Sequence, residues 1–354
     1  MNKIFRIRFS RSCSGNLKSK TCPELSRRIP NLKSGRIVAI GVIFAMCGAW
    51  AEAQQPKVHR IGVILPGGPL YESIEGLKAG LKELGLEEGK QFSLTIRDTK
   101  GDTKIAEEAA RSFEREKVNL LYALSTPVIT AAKAATQNVP IVFCIGSDPV
   151  TGGLVDSFAK PGGRLTGVHF LVRDLTAKRL EILKEILPKL GRVITFYNPA
   201  DRVAAEGAGL AREEAKRLGL KLVERHVTSS DEVKQALQAL KAGEADAYFF
   251  TPDTMVVGQA QLIIDAAKAK KLATMFQEQS LVAKGALASY GNNYYEVGRL
   301  SAKYVQRVLG GAHPRDLRIE TIDHVELAIN LQTAKQLGLT IPSNVLARAN
   351  KVIR

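Results

Sequence analysis

Six short stretches of the 354-residue chain carry residue types that can hold a small charged molecule. They read PGGP (66–69), STPV (125–128), GSDPV (146–150), YNPAD (197–201), TPDT (251–254) and QEQS (277–280). Most are rich in Gly, Ser, Thr, Asp or Pro and open directly into a helix-forming run. The unbonded N–H groups of a helix start can hold a carboxylate or another anion. A carboxylate such as Asp148 or Asp253 can hold a cation such as an ammonium group. Ordinary helix capping and turn formation draw on the same residues, so the loops make a ligand site only if they face one cleft.

Bond-making chemistry has less support. Between Gln54 and Arg354 there is no G-x-S-x-G elbow, Walker loop, H-E-x-x-H or C-x-x-C. The paired glycines of PGGP lack the spacing of a dinucleotide fingerprint. Ser157 and Lys160 fit S-x-x-K, but neither S-D-N nor K-T-G accompanies them, and a turn is the expected role. His59, His169, His226, His313 and His324 are scattered with no i, i+4 pair, which disfavours a metal site. Cys144 lies inside the apolar string IVFCIG with no identifiable histidine partner, and reads as a small core residue. The expectation is a protein that is not an enzyme, with no cofactor and no metal.

The elements that must position these loops alternate along the chain. Strand-like runs fall at 60–67, 92–98, 119–126, 140–146 and 164–170, and again at 192–199, 221–227, 246–252 and 272–278. Helical runs separate them. In SIEGLKAGLKELG, Ile74, Leu77, Leu81 and Leu84 share one face and Gly85 ends the helix. Asp102 or Thr103 can cap the next helix, and 255–270 reads as one continuous helix. Apolar strands alternating with amphipathic helices predict parallel sheets covered on both faces. Two such series predict an α/β protein of two doubly wound parallel-sheet, Rossmann-like lobes joined by short crossovers. In open parallel sheets ligands bind beyond the carboxyl ends of the strands, which is where the six loops lie.

A different kind of segment precedes these elements. Ten basic side chains, from Lys3 to Arg36, stand before an uncharged run from Ile37 to Trp50, followed by Ala51-Glu52-Ala53. A membrane-spanning helix needs about 20 apolar residues, whereas a basic stretch, a short apolar run and a small-x-small site define a secretory signal peptide. Residues 1–53 are therefore expected to be a leader cleaved after Ala53, and the mature protein is expected in the periplasm. Its removal leaves 41 basic and 33 acidic residues and a net charge of +8 instead of +16. No run of five like charges and no basic-aromatic cluster remains, so no nucleic-acid partner is expected.

Several blocks are specific enough to carry a family resemblance. RIGVILPG, FCIGSDPVTGGLVDSFAKPGGRLTGV, ITFYNPAD, ALASYGNN and the closing INLQTAKQLGLTIPSNVLARANKVI resemble, in order, the substrate-binding proteins of one ABC-importer family. This family is commonly labelled a tryptophan/tyrosine transport system. The resemblance implies the type I periplasmic binding fold, with a ligand held between two lobes joined by three hinge strands. It implies one lobe from 57 to 168 plus 291–314, and a second from 169 to 288 plus 315–354, with hinges near His169, Tyr290 and Arg315. Two departures stand out: Arg164 where an asparagine is usual, and Asp201-Arg202 where Asn-Pro is common.

The function implied is capture of a small solute, possibly an amino acid, and its delivery to an ABC permease with its ATPase, by a monomer. Loop position and resemblance together nominate the ligand-binding residues. Ser125 and Thr126, with Pro127 and the N–H groups that follow, would hold a carboxylate. Asp148 and Asp253 would face an ammonium group. Ser147, Asn198, Gln277 and Tyr290 would add hydrogen bonds or a stacking face, and Gly67 and Gly68 would bring backbone close. A periplasmic ligand sensor for a membrane receptor would use the same cleft. A secreted α/β hydrolase lacks a nucleophile motif, and a repressor of this fold lacks a DNA-binding headpiece.

Overall fold

The structure is a computed structural model that describes residues 58–172, 175–241 and 243–354. The expected leader lies outside the described residues. Among those described, no helix is long and apolar enough to cross a membrane.

The first series of elements builds a six-stranded sheet in the order β11-β5-β4-β3-β1-β2. Its strands are β1 (His59–Leu65), β2 (Phe92–Asp98), β3 (Leu120–Leu124), β4 (Ile141–Ile145), β5 (Leu165–Phe170) and β11 (Glu320–Ile322), and every pairing is parallel. β3 and β4 are buried at every position, as strands covered on both faces must be. The covering helices are α1 (Tyr71–Glu83), α2 (Thr103–Arg115), α3 (Thr126–Ala135) and α10 (Tyr294–Leu309). Asp102 caps α2 by accepting from the Lys104 N–H.

The second series builds a seven-stranded sheet in the order β13-β12-β10-β9-β8-β6-β7. It comprises β6 (Arg192–Tyr197), β7 (Lys221–His226), β8 (Ala247–Phe249), β9 (Ala273–Phe276), β10 (Ala288–Gly291), β12 (Glu326–Asn330) and β13 (Lys351–Ile353). Around it lie α4 (Thr176–Ile186), α5 (Arg202–Arg217), α6 (Ser230–Ala239), α7 (Thr254–Val257), α8 (Ala260–Ala269) and α9 (Gln279–Ala283), then α11 (Leu331–Gln336) and α12 (Ser343–Leu346). The expected helix over 255–270 is two helices, because the chain turns at Gly258 and Gln259 between α7 and α8.

One pairing departs from the all-parallel expectation: β12 runs antiparallel to β10. The path explains it. All strands but β12 and β13 run toward the interface between the two halves, so a chain leaving the end of β11 enters the second sheet from that interface and runs outward. The chain passes between sheets after Phe170, after Gly291 and after Ile322. His169 still pairs with Thr321 inside the first sheet, so the third passage lies at 323–325 and not near Arg315.

Helices α1 and α10 pack so closely that a Cβ on Gly76 would fall on the Tyr295 carbonyl, and one on Gly298 on the Ser73 carbonyl. Arg164, the unusual residue after the paired glycines, donates to the carbonyls of Val139, Lys133 and Thr136, tying the end of α3 to β5. Close packing of this kind tolerates no added atoms. Gly298→Ala is expected to lower the unfolding free energy by about 3 kcal/mol in urea titration, with Gly209→Ala, where a Cβ meets nothing within 4 Å, as the harmless control.

Candidate functional site

The carboxyl ends of the two sheets face each other, and a cavity of about 60 Å³ lies between them. Its lining includes the apolar side chains Leu70, Phe170, Val172, Pro252 and Val257 and the ring of Tyr294. Phe170 and Tyr294 meet edge to face with ring centroids 5.5 Å apart. The polar part of the same lining is Ser125, Thr126, Asp253, Thr254 and Gln277. A larger chamber of about 540 Å³ lies alongside, between the starts of α2 and α3 on one side and the loops before α5 and α7 on the other. Thr126, Pro127, Val203, Asp253 and Thr254 line both spaces, so cavity and chamber are neighbours.

Ser125 is the most unusual residue of the lining. Its φ of 78° and ψ of 148° lie in a region that non-glycine residues rarely occupy. This geometry turns its N–H to the Cys144 carbonyl and leaves its buried Oγ without a partner among the described residues. It does not cap α3 with its side chain. The first-turn N–H groups of α3 therefore keep their capacity for an anion, apart from Pro127, which has none. Thr126 and Ser147 share a hydrogen bond of 2.7 Å between their hydroxyls, so Ser147 steadies the wall from behind.

Asp253 is 5% exposed. One carboxylate oxygen accepts from the N–H groups of Met255 and Val256, capping α7, and the other accepts from the Asn198 N–H at 2.6 Å. Burial pushes its pKa from 3.8 up to about 6; the backbone donors oppose that, and the charge of Asp201 adds to it. Asp201 caps α5 through the N–H groups of Val203 and Ala204, and its pKa is raised by burial in the same way. Two neighbouring carboxylates thus lie at the outer chamber, Asp253 offset by backbone donors and Asp201 by backbone donors and the charge of Arg202. A cation there would be attracted by both.

Asp148 is different. Burial raises its pKa, but the N–H groups of Val150 and Thr151 and the Thr151 hydroxyl outweigh this and lower it. Its carboxylate is spent on its own turn, and it lines neither space. Tyr290 also departs from expectation: it lies inside β10 opposite Leu327 and packs on the core of the second sheet. Gly67 and Gly68 line neither space; a Cβ on Gly67 would meet the Asp98 carboxylate and one on Gly68 the Val257 carbonyl. Asn198 lines the outer chamber, its N–H donating to Asp253 and its side-chain oxygen accepting from the Ala200 N–H.

Tyr294 takes the place expected of Tyr290. It opens α10, capped by Asn293, and its hydroxyl accepts from the Gln277 side-chain amide at 2.5 Å. The Gln277 amide oxygen has no partner among the described residues. Behind them lies Arg179, wholly buried, whose Nη2 donates to Thr176 at 3.0 Å while Nε and Nη1 have no partner among the described residues. Burial lowers its pKa to about 10, so it stays charged at neutral pH. Glu278, also wholly buried, is pushed well above the usual carboxylate range by burial, opposed by the N–H groups of Ser280 and Tyr294. No group of three or more potential metal ligands occurs among the described residues.

The profile of the family described as ABC transporter substrate binding protein matches residues 59–353. The chain belongs to that family. A relative described as a tyrosine-binding protein, from Clostridioides difficile strain R20291, is 30% identical over 289 residues, covering 81% of this chain and 83% of the relative. A conserved domain protein from Vibrio cholerae O1 biovar El Tor is 34% identical, with a TM-score of 0.75, covering 84% of this chain and all of the other. A Streptococcus pneumoniae ABC domain solved with L-Trp has a TM-score of 0.74 at 23% identity, covering 84% of this chain and all of the other, which shows the shared fold. The fold is the type I arrangement of the family, as the blocks around GSDPV and NLQTAKQLGLTIP predict.

A raised carboxyl pKa has a consequence for stability within this family member. The folded protein holds the Asp253 proton more tightly than the unfolded chain, so the associated stabilisation is complete below about pH 4 and lost as pH rises through about 6. A shift from 3.8 to about 6 corresponds to something on the order of 3 kcal/mol. In thermal melts between pH 4.5 and 7.5, Tm is expected to fall with rising pH, and Asp253→Asn is expected to flatten that fall. Asp201 and Glu278, raised in the same direction, would supply the remaining slope.

Proposed function

We propose that this protein captures an α-amino acid with an apolar, aromatic side chain in the space between the two sheets, outside the cytoplasmic membrane, and delivers it to an ABC permease. The observation that carries this reading is that one small lining brings together a buried carboxylate, a helix start left uncapped by its side chain and a pair of aromatic rings. An ammonium group meets the buried carboxylate of Asp253, a carboxylate meets the N–H groups at the start of α3 beside the unpartnered Ser125 hydroxyl, and a ring lies against Phe170 and Tyr294. The distribution suits a zwitterion with an apolar side chain, in which each charged end finds an opposite partner. The tyrosine-binding relative supports the same ligand class.

Capture of this kind is binding without turnover: closure of the halves removes the ligand from water, and the closed form is what a permease would recognise. Delivery to a permease and export through the leader of residues 1–53 are parts of the same proposal. The tail of a bulky ligand would extend toward the outer chamber, since about 60 Å³ is small for an aromatic amino acid.

Isothermal titration with L-tyrosine and L-tryptophan tests the reading, with tyramine and 3-phenylpropionate as single-charge controls. Both amino acids are expected to bind and both controls to bind at least tenfold more weakly. Asp253→Ala is expected to weaken binding by more than roughly tenfold, while Asp148→Ala leaves it within about twofold. No heat and no thermal shift with either amino acid at millimolar concentration would exclude this ligand class.

A further inference from the structure

We propose that helix α7 and the glycine that follows it form the latch between the two halves, and that Gly258 sets how fully the cleft can shut. Three contacts carry the inference, and all are backbone against backbone. A Cβ on Gly68, in the loop after β1, would lie 2.5 Å from the Val257 carbonyl oxygen at the end of α7. A Cβ on Gly258 would lie 2.9 Å from the carbonyl oxygen of Pro66, in the first half again. A Cβ on Gly101, in the loop after β2, would fall on the Cα of Met255 within α7. The loops after two strands of one sheet thus grip a four-residue helix of the other half.

Glycine at 68 and 101 has a second explanation, because both have positive φ, 61° and 82°. Gly258 has none: its φ of −62° and ψ of −21° are ordinary right-handed helix, which any residue adopts. Space is the remaining reason for its small size, and the atom that limits the space belongs to the opposite half. Apolar burial works in the same direction. Leu70 of the first half and Met255, Val256 and Val257 of the second belong to one continuous core cluster, so parting the halves exposes them to water.

Position links the latch to the cavity. Asp253 caps α7 at one end, and Gly258 follows it at the other. A ligand group held by Asp253 therefore meets the same helix that the PGGP loop grips, and binding and closure stabilise one another. PGGP, which as a sequence reads as a ligand-holding loop, supplies a closing contact instead. The link to ligand rests on the amino-acid reading above; the latch itself does not.

The test measures the distance between the halves directly. Spin labels go on Glu108→Cys in α2 and Glu213→Cys in α5, both exposed, with Cys13, Cys22 and Cys47 replaced by serine; Cys144 is buried. Double electron–electron resonance of the otherwise unaltered protein is expected to show a short-distance population, enlarged by L-tyrosine. Gly258→Ala is expected to reduce that population at least about fivefold, with and without L-tyrosine, while Gly209→Ala leaves it unchanged. An undiminished short-distance population in Gly258→Ala, or no such population under any condition in the parent protein, overturns the latch. Failure of L-tyrosine and L-tryptophan to bind the parent protein would instead count against the amino-acid reading, with the ligand-free distributions still deciding the latch.

Discussion

The arrangement depends on one buried carboxylate. Asp253 receives three backbone N–H groups, two from the helix it caps and one from the loop after β6. Those bonds fix α7 against β6, and α7 touches the loops after β1 and β2. They also hold a charge in a place where charge is costly, which is why its proton is retained to about pH 6. A carboxylate costs less to bury beside a cation than alone, so under the proposed reading the same carboxylate that organises this loop would favour entry of an ammonium group.

Much of the fold was legible before any coordinates because its signals are local. Alternating apolar strands and amphipathic helices follow directly from the need to cover parallel sheets on both faces, and caps such as Asp102 announce helix starts. What escaped was decided by distant parts of the chain. The antiparallel run of β12 follows from the route by which the chain leaves β11, and the close approach that leaves no room for a side chain at 258 is to a carbonyl nearly two hundred residues earlier. Neither has a periodic signature.

The site divides along the same line. Ser125, Thr126, Pro127, Asp253 and Gln277 line the inner cavity and Asn198 the outer chamber, because loops beyond the carboxyl ends of parallel strands converge by construction. Asp148 shows the limit of residue type as a guide: a carboxylate at a loop can be consumed entirely by its own turn. Tyr290 shows the limit of register. A rule already applied to six loops, taken to the seventh at Asn293, selects Tyr294 at the helix start over Tyr290 within the strand. Phe170, Val172 and Arg179 carried no comparable signal, since apolar crossover residues and a buried arginine are invisible until the halves are placed together.

The central claim is a placement of charges, and a crystal structure of the protein grown with L-tyrosine tests it most directly. The account predicts the ligand ammonium within hydrogen-bond distance of the Asp253 carboxylate, about 2.7–3.2 Å. It places the ligand carboxylate at the start of α3 beside Ser125 and the ring against Phe170 and Tyr294. A ligand bound with its ends reversed, or bound away from the cavity that Asp253 and Ser125 line, would contradict it.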